Sequence, residues 1–313
     1  MRVLLASLLA VTVLTACSGS DGPAPRAVGP TTDTSALAAP IPSTSVLGTS
    51  LTRPSKVLVV VEENHSATSA MKGMPNLAAL ARRYGYTTAY KAIRHPSLPN
   101  YLALAGGSTF GVTDDKSPAS HHLSGQSVFD RAIASGKTAK AYVEAMPTAC
   151  GQSATTKYAV KHNPWAYFSD ATSRANCRRS DVASGTTSAG ALRSDIDAGR
   201  LPNVGMLVPD ICHDGHDCSL ATADAWLKPW LSRLMAGPDY RAGRLAIVVT
   251  FDEDDYSQSN TVLTVVISPY TSAVTSATAF THYSLARYLS EIVGATPLRN
   301  AATARSLRTT FHI

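Results

Sequence analysis

The chain has 313 residues, of which 44% are hydrophobic and 16% charged, with a formal net charge of +6. That length supports one large α/β domain or two small ones, and that balance excludes a largely disordered or fibrous chain. Lys and Arg occur at most in pairs (Arg82-Arg83, Arg178-Arg179), so no clustered basic stripe argues for nucleic-acid binding.

The opening stretch, MRVLLASLLAVTVLTAC, places Arg2 ahead of an apolar segment from Val3 to Thr15. The segment is too short to span a bilayer comfortably, and its layout is that of an export signal. Leu14-Thr15-Ala16-Cys17 resembles a bacterial lipobox, which predicts cleavage before Cys17 and a diacylglycerol on its thiol. An ordinary signal peptide and a buried helix are the alternatives. No other apolar run of membrane-spanning length exists. Attachment is therefore expected by lipid anchor only, on the outer face of the cell membrane, or the chain is secreted. Residues 18–52 are dominated by Ser, Thr, Ala, Pro and Gly and read as a flexible linker. The folded domain is expected over 53–313.

Short continuous apolar runs follow: VLVVV (57–61), the weaker AKAYVEAM (139–146), VGMLVP (204–209), LAIVVTF (245–251) and VLTVVIS (262–268). Such runs suit strands buried on both faces of a parallel sheet. Helical patterns alternate with them. Pro75 opens one that carries Leu77, Leu80 and Tyr84 and stops at Gly85. A second carries Val128, Phe129, Ala132 and Ile133 and ends at Gly136. Ser219 caps a third through Ala225, Trp226 and Leu234, with a kink expected at Pro229. The last begins near His282, carries Leu285, Tyr288, Leu289 and Ile292, and stops at Gly294. The alternation predicts an α/β fold with a doubly wound, mostly parallel sheet. In that architecture ligands bind beyond the carboxyl ends of the strands.

Those strand ends are acidic. After VLVVV come Glu62, Glu63, Asn64, His65 and Ser66; after VGMLVP come Asp210, His213, Asp214, His216 and Asp217; after LAIVVTF come Asp252, Glu253, Asp254 and Asp255. Taken singly, each is a solvated acidic loop. Gathered at one edge they would repel one another, and hard oxygen ligands with imidazoles suit a divalent cation whose identity the sequence leaves open. A nucleophile lies in the proline-rich turn His95-Pro96-Ser97-Leu98-Pro99-Asn100, where Ser97 opens a short helix. Backbone amides and the helix dipole favour anions there. A hydroxyl beside a cation can attack phosphorus without a separate general base; the plainer alternative is that Ser97 only caps the helix. Beyond Cys17, four cysteines remain, an even number as expected of an exported chain. Of the three possible pairings we take Cys150–Cys177 and Cys212–Cys218; a zinc site lacks the paired C-x-x-C spacing.

The segments ENHS (63–66), HPSLPNYLAL (95–104), KHNPWAYF (161–168), VPDICHDGHDCSLATADAWL (208–227), TFDEDD (250–255) and THYSLARYL (281–289) together resemble the bacterial phosphoesterase family. That family lies within the alkaline-phosphatase superfamily and includes secreted acid phosphatases and phospholipases C. The likeness is strongest to its mycobacterial secreted acid phosphatases. It implies metal binding by Glu63, Asn64, Asp252, Glu253 and Asp210, and Ser97 as nucleophile. It implies His282 and His216 as further catalytic groups, and His162, Asn64 and Asn100 as substrate contacts. Asp210 and His216 stand six residues apart, farther than in the superfamily's two-metal members. The implied activity is metal-dependent hydrolysis of phosphomonoesters through a phosphoserine, with phosphoinositides or other phospholipids among the substrates. A phospholipase C-type phosphodiesterase and an inactive surface binding module are the alternatives.

Overall fold

A computed structural model describes residues 53–313; the expected export signal, Cys17 and linker lie outside the described residues. Among the described residues ten strands form: β1 (Lys56–Glu62), β2 (Gly85–Thr87), β3 (Tyr90–Lys91), β4 (Ala139–Val143), β5 (Asp181–Ala183), β6 (Val204–Val208), β7 (Leu245–Phe251), β8 (Thr264–Ile267), β9 (Val274–Ser276) and β10 (Phe280–Thr281). Eight make one sheet in the order β5-β4-β6-β1-β7-β8-β2-β9, and β3 pairs with β10 apart from it.

From β5 through β7 the pairs are all parallel. β8 runs antiparallel to both β7 and β2, so the sheet is mostly parallel but mixed. The strands expected from their apolar runs are β1, β4, β6, β7 and β8. The short strands β2, β5 and β9 have only three residues each, too few to present an apolar run. β1 lies inside the parallel part, between β6 and β7, and Val57 to Val61 are buried on both faces. Each such side chain contributes roughly 1.5–3 kcal/mol relative to exposure.

Helices cover the sheet. Pro75–Arg83 has Pro75 at its first position, where no amide is missed. Asp224, on the facing helix Leu220–Ala236, accepts the free amides of Asn76 (2.9 Å) and Leu77 (3.0 Å), which satisfies two orphan donors of that helix start. Ser219 caps Leu220–Ala236 by accepting from Thr222 N at 3.2 Å, and this helix continues past Pro229 to Ala236. His282–Ile292 is the last long helix, closed at its start by a reciprocal Thr281/Ser284 cap. Both disulfides, Cys150–Cys177 and Cys212–Cys218, are formed. Among the described residues no helix is long and apolar enough to cross a membrane.

Candidate active site

Backbone bonds stitch three strand ends into one edge. Asp252 N, just past β7, donates to Glu62 O at 3.0 Å, and Glu63 N, just past β1, donates to Asp214 O at 2.8 Å in the loop that follows β6. This brings the carboxylates of Glu63, Asp214 and Asp252 together, all three with no exposed surface.

Ser97 faces them. It is the first residue of the buried helix Ser97–Gly106, entered from Pro96 and ended by Gly107 in a left-handed conformation. A Cβ at Gly107 would fall 2.2 Å from Leu298 O, so the helix must stop there on a glycine. Ser97 Oγ donates to Glu63 Oε2 at 3.1 Å, and Lys161 Nζ approaches the same hydroxyl at 3.4 Å. Asn100, one turn on, fixes the preceding turn. Its Oδ1 accepts from Ile93 N (2.9 Å) and Arg94 N (3.2 Å), and its Nδ2 donates to Arg94 O (2.6 Å) and Glu253 Oε2 (3.3 Å). Asn64 takes a positive φ of 25° and donates its backbone N–H to Asp252 Oδ1 at 3.1 Å.

His162 lies between two of the acids. Its Nε2 is 3.0 Å from Glu63 Oε1, and its Nδ1 is 3.2 Å from Asp214 Oδ2. Neither contact has hydrogen-bond geometry: Glu63 Oε1, Asp214 Oδ2, Asp252 Oδ2 and both ring nitrogens are buried without a hydrogen-bond partner. Buried polar atoms are almost always paired, so five unpaired ones gathered in one place form a pocket whose donors are free for a ligand. Oxygen and imidazole donors fit a divalent ion.

The electrostatics agree. Burial, then the charges of Asp252 and Asp214, drives Glu63 far above the ordinary carboxylate range, with Lys161 opposing. Burial pushes Asp252 up to about 7 against the backbone hydrogen bonds of Asn64 and Glu253. It likewise pushes Asp214 up to about 7. Glu253 rises to about 9 through burial and the nearby Asp252. Burial, then the neighbouring Lys161 and His216, holds His162 well below its usual value. Without a positive ion these acids would give up their charge rather than share the pocket.

The remaining expected residues are placed as follows. Asp210 stands apart from Ser97, in a cluster with Glu144 and His213. His213 Nδ1 is 2.9 Å from Glu144 Oε2, and Asp210 Oδ1 accepts from Cys212 N and His213 N, each at 3.0 Å. The carboxylate that the loop after β6 delivers to Ser97's pocket is that of Asp214. His216 sits at the mouth with its ring about one-third exposed and Nδ1 2.7 Å from Asp217. Its ring centre is 6.3 Å from that of His162. His282 is fully buried behind Asp252. Its Nε2 lies 2.6 Å from Asp252 O and its Nδ1 3.2 Å from the Tyr90 hydroxyl. A carbonyl only accepts, so Nε2 carries the hydrogen and Nδ1 accepts from Tyr90. Burial lowers this ring to about 4, so it is neutral at ordinary pH and positions the Asp252 backbone.

Residues to which the sequence assigned no individual role also line the site. Lys161 and Asp214 are the nearest. Tyr101 stacks on His162 with ring centres 5.1 Å apart. His95 contacts Glu253 and Asp254, each at 3.1 Å, and stacks on the exposed Tyr256 at 3.8 Å. Lys161 adjoins His162 in KHNPW, and that adjacency is the one signal the sequence carries for it.

The sequence model of the Phosphoesterase family matches residues 69–295. The chain belongs to the phosphoesterase family. Its enzyme class is that of hydrolases of phosphoric esters. A phosphatidylinositol-3-phosphatase of Mycobacterium tuberculosis is 30% identical over 260 residues, covering 81% of this chain and 82% of that protein. A phosphate-repressible acid phosphatase of Penicillium chrysogenum is 32% identical over 229 residues, covering 69% of this chain. The chain spans 53% of that relative's length. Among solved structures, an alkaline phosphatase superfamily protein from Vibrio parahaemolyticus superposes with a TM-score of 0.55 at 11% identity, covering 80% of this chain and 70% of that one. A lipoteichoic acid synthase from Listeria monocytogenes gives 0.52 at 9%, covering 80% and 76%. The superpositions place this phosphoesterase in the alkaline-phosphatase fold.

Proposed function

We propose that this phosphoesterase is a metal-dependent phosphomonoesterase that works through a phosphoserine on Ser97, exported and tethered to the membrane through Cys17. The observation that carries the catalytic part is the contact of Ser97 Oγ with Glu63 (3.1 Å) at the edge of a buried, unpaired carboxylate pocket. Glu63, Asp252 and Asp214 with His162 would hold the divalent ion, and Asn64 and Glu253 flank it. Once bound, the ion supplies the positive charge that neutralises these acids and favours ionisation of a nearby hydroxyl.

The chain's own groups do the rest. Ser97 Oγ passes its proton to Glu63, attacks phosphorus and forms the Oγ–P bond as the bond to the leaving alcohol breaks. His216 at the mouth supplies a proton to that alcohol. Water, giving a proton back to His216, then cleaves the Oγ–P bond and releases orthophosphate, while Glu63 returns its proton to Ser97 Oγ. Lys161, with its ammonium beside the serine, offsets charge on the phosphoryl oxygens. Asn100 and the neutral His282 hold the serine turn and the Asp252 backbone in register. Export draws support from the two disulfides, which persist in oxidising compartments, and from the lipobox-like LTAC at 14–17. The mycobacterial relative's name makes a phosphoinositide a candidate substrate.

The test is Ser97→Ala assayed on p-nitrophenyl phosphate, a bis-p-nitrophenyl diester and phosphatidylcholine, with acid quenching to trap phosphoserine. Monoester turnover should fall at least about a thousandfold and the trapped phosphoserine should vanish, with the melting temperature retained. Near wild-type turnover removes Ser97 from the mechanism. Faster diester or lipid cleavage by the wild type replaces the monoesterase with a phosphodiesterase. Mass spectrometry of the mature N-terminus tests the lipid on Cys17.

A further inference from the structure

Lys161 is the middle residue of the short turn Val160–His162. Its Nζ lies 3.4 Å from Ser97 Oγ and donates to Asp115 Oδ2 at 3.1 Å. The other oxygen of that same carboxylate, Oδ1, accepts the backbone N–H of Leu98 at 2.9 Å. Leu98 is the second residue of the nucleophile's helix, so its amide is one of those a helix leaves unpaired at its start. One carboxylate therefore bridges two donors that flank the serine hydroxyl: an ammonium and a helix-start amide.

The Lys161 ammonium lies against Ser97 Oγ and Asp115, with its side chain 23% exposed. The Asp115 side chain is 30% exposed, in a segment where Gly111, Thr113 and Lys116 are also exposed. An anion bound through two donors and open in part to solvent is well placed to be exchanged for another anion.

We propose that Lys161 Nζ and the Leu98 N–H form the clamp for two phosphoryl oxygens, and that Asp115 is an internal anion that holds the clamp until a phosphoryl group displaces it. The proposal deepens the phosphoesterase reading and rests on it. A phosphomonoester dianion carries twice the charge of one carboxylate, so its attraction to the ammonium is the stronger. Two charge-assisted donors set at an angle also fix the orientation of the group they hold. Released Asp115 swings into water, where its solvation is regained. With no substrate present it keeps the ammonium from collapsing onto Glu63 and Asp252. Lys161 thus contacts the reacting group, and Asp115 acts through it.

The experiment is titration calorimetry of orthophosphate into the metal-loaded full chain, alongside KM and kcat on p-nitrophenyl phosphate. Lys161→Met should weaken orthophosphate binding by about 10- to 100-fold, the usual loss for a charged hydrogen bond, and Lys161→Arg should recover most of it. Asp115→Asn should tighten orthophosphate binding and lower KM by about threefold or more, because it removes a competing charge while an amide oxygen still accepts from Leu98. Unchanged affinity in Lys161→Met overturns the clamp. Weaker binding in Asp115→Asn overturns the exchange and leaves Asp115 a fixed brace. Should Lys161→Met melt too low to assay, Lys161→Gln carries the same comparison. A wild-type chain that binds orthophosphate through Lys161 but hydrolyses no phosphoester supports the clamp and refutes the enzymatic reading. An active wild type whose Lys161→Met variant keeps its affinity and KM refutes the clamp alone.

Discussion

Chelation should destabilise this protein in a pH-dependent way. With no ion in it, the pocket holds Asp252 and Asp214, each raised from 3.8 to about 7, with Glu63 raised well above its ordinary value. A folded value above the unfolded one means that, between about pH 4 and 7, the folded state keeps a proton that the unfolded state has released. Stability of the stripped protein therefore falls as pH rises through that window and levels off above about 7. A rise of about 3 units corresponds to about 4 kcal/mol for one carboxyl. The acids share one site and do not add, so we take the single value. For a domain of this size about 4 kcal/mol is about 8 °C in melting temperature. A protein loaded with the proposed ion would escape this loss, because the ion would stabilise the ionised acids. Melting curves with excess chelator and with excess divalent metal, at pH 5 and pH 8, should show a small gap at pH 5 and a gap of about 8 °C at pH 8. Equal gaps at both pH values, or none at either, would refute the claim that these carboxylates are held together by a cation.

Asp181 offers a control away from the serine: burial raises it to about 7 with only Asn163 and Arg174 lowering it. Urea melts of Asp181→Asn should lose the wild type's decline in stability between about pH 4 and 7, about 4 kcal/mol at most; an unchanged slope would discount that burial effect. His282→Ala should cut kcat and cost about 1–3 kcal/mol by stranding the Asp252 carbonyl and the Tyr90 hydroxyl. It should leave the pH–rate profile in place because the ring is already neutral; a lost limb in that profile would make His282 the proton donor. The double change Cys212→Ala and Cys218→Ala should cost only about 2 kcal/mol for so short a ring, yet lower activity at least about tenfold by loosening the loop that carries Asp214. Retained activity would detach that loop from catalysis.

Much of the framework can be read from local pattern. The runs at 57–61, 204–209 and 245–251 become β1, β6 and β7, because a strand buried on both faces has no polar positions to disguise it. For the same reason the acids following those runs fall at one edge. What escapes is set by loop shape. Asp210, Asp214 and Asp217 are equivalent in composition, and only the turn closed by Cys212–Cys218 decides that Asp214 faces Glu63. Lys161 and Asp115 are invisible as a pair because 46 residues separate them and nothing in either segment announces the other. The antiparallel turn of β8 is equally silent, since its apolar run reads the same in either direction.

The central strand also explains a sensitivity at a distance. Val57 to Val61 are nearly interchangeable, so the run itself says little about which residue should sit opposite which. Alignment falls to its ends: Lys56 Nζ pairs with Asp239 at 2.8 Å at the start, and Asp252 N grips Glu62 O at the finish. Because neighbouring side chains point to opposite sides, sliding by a single position would send Glu63 away from Ser97 and bring Glu62 in its stead. Lys56 and Asp239, at the far end of the strand from the serine, thereby act as the index pin that keeps the correct acid facing the nucleophile.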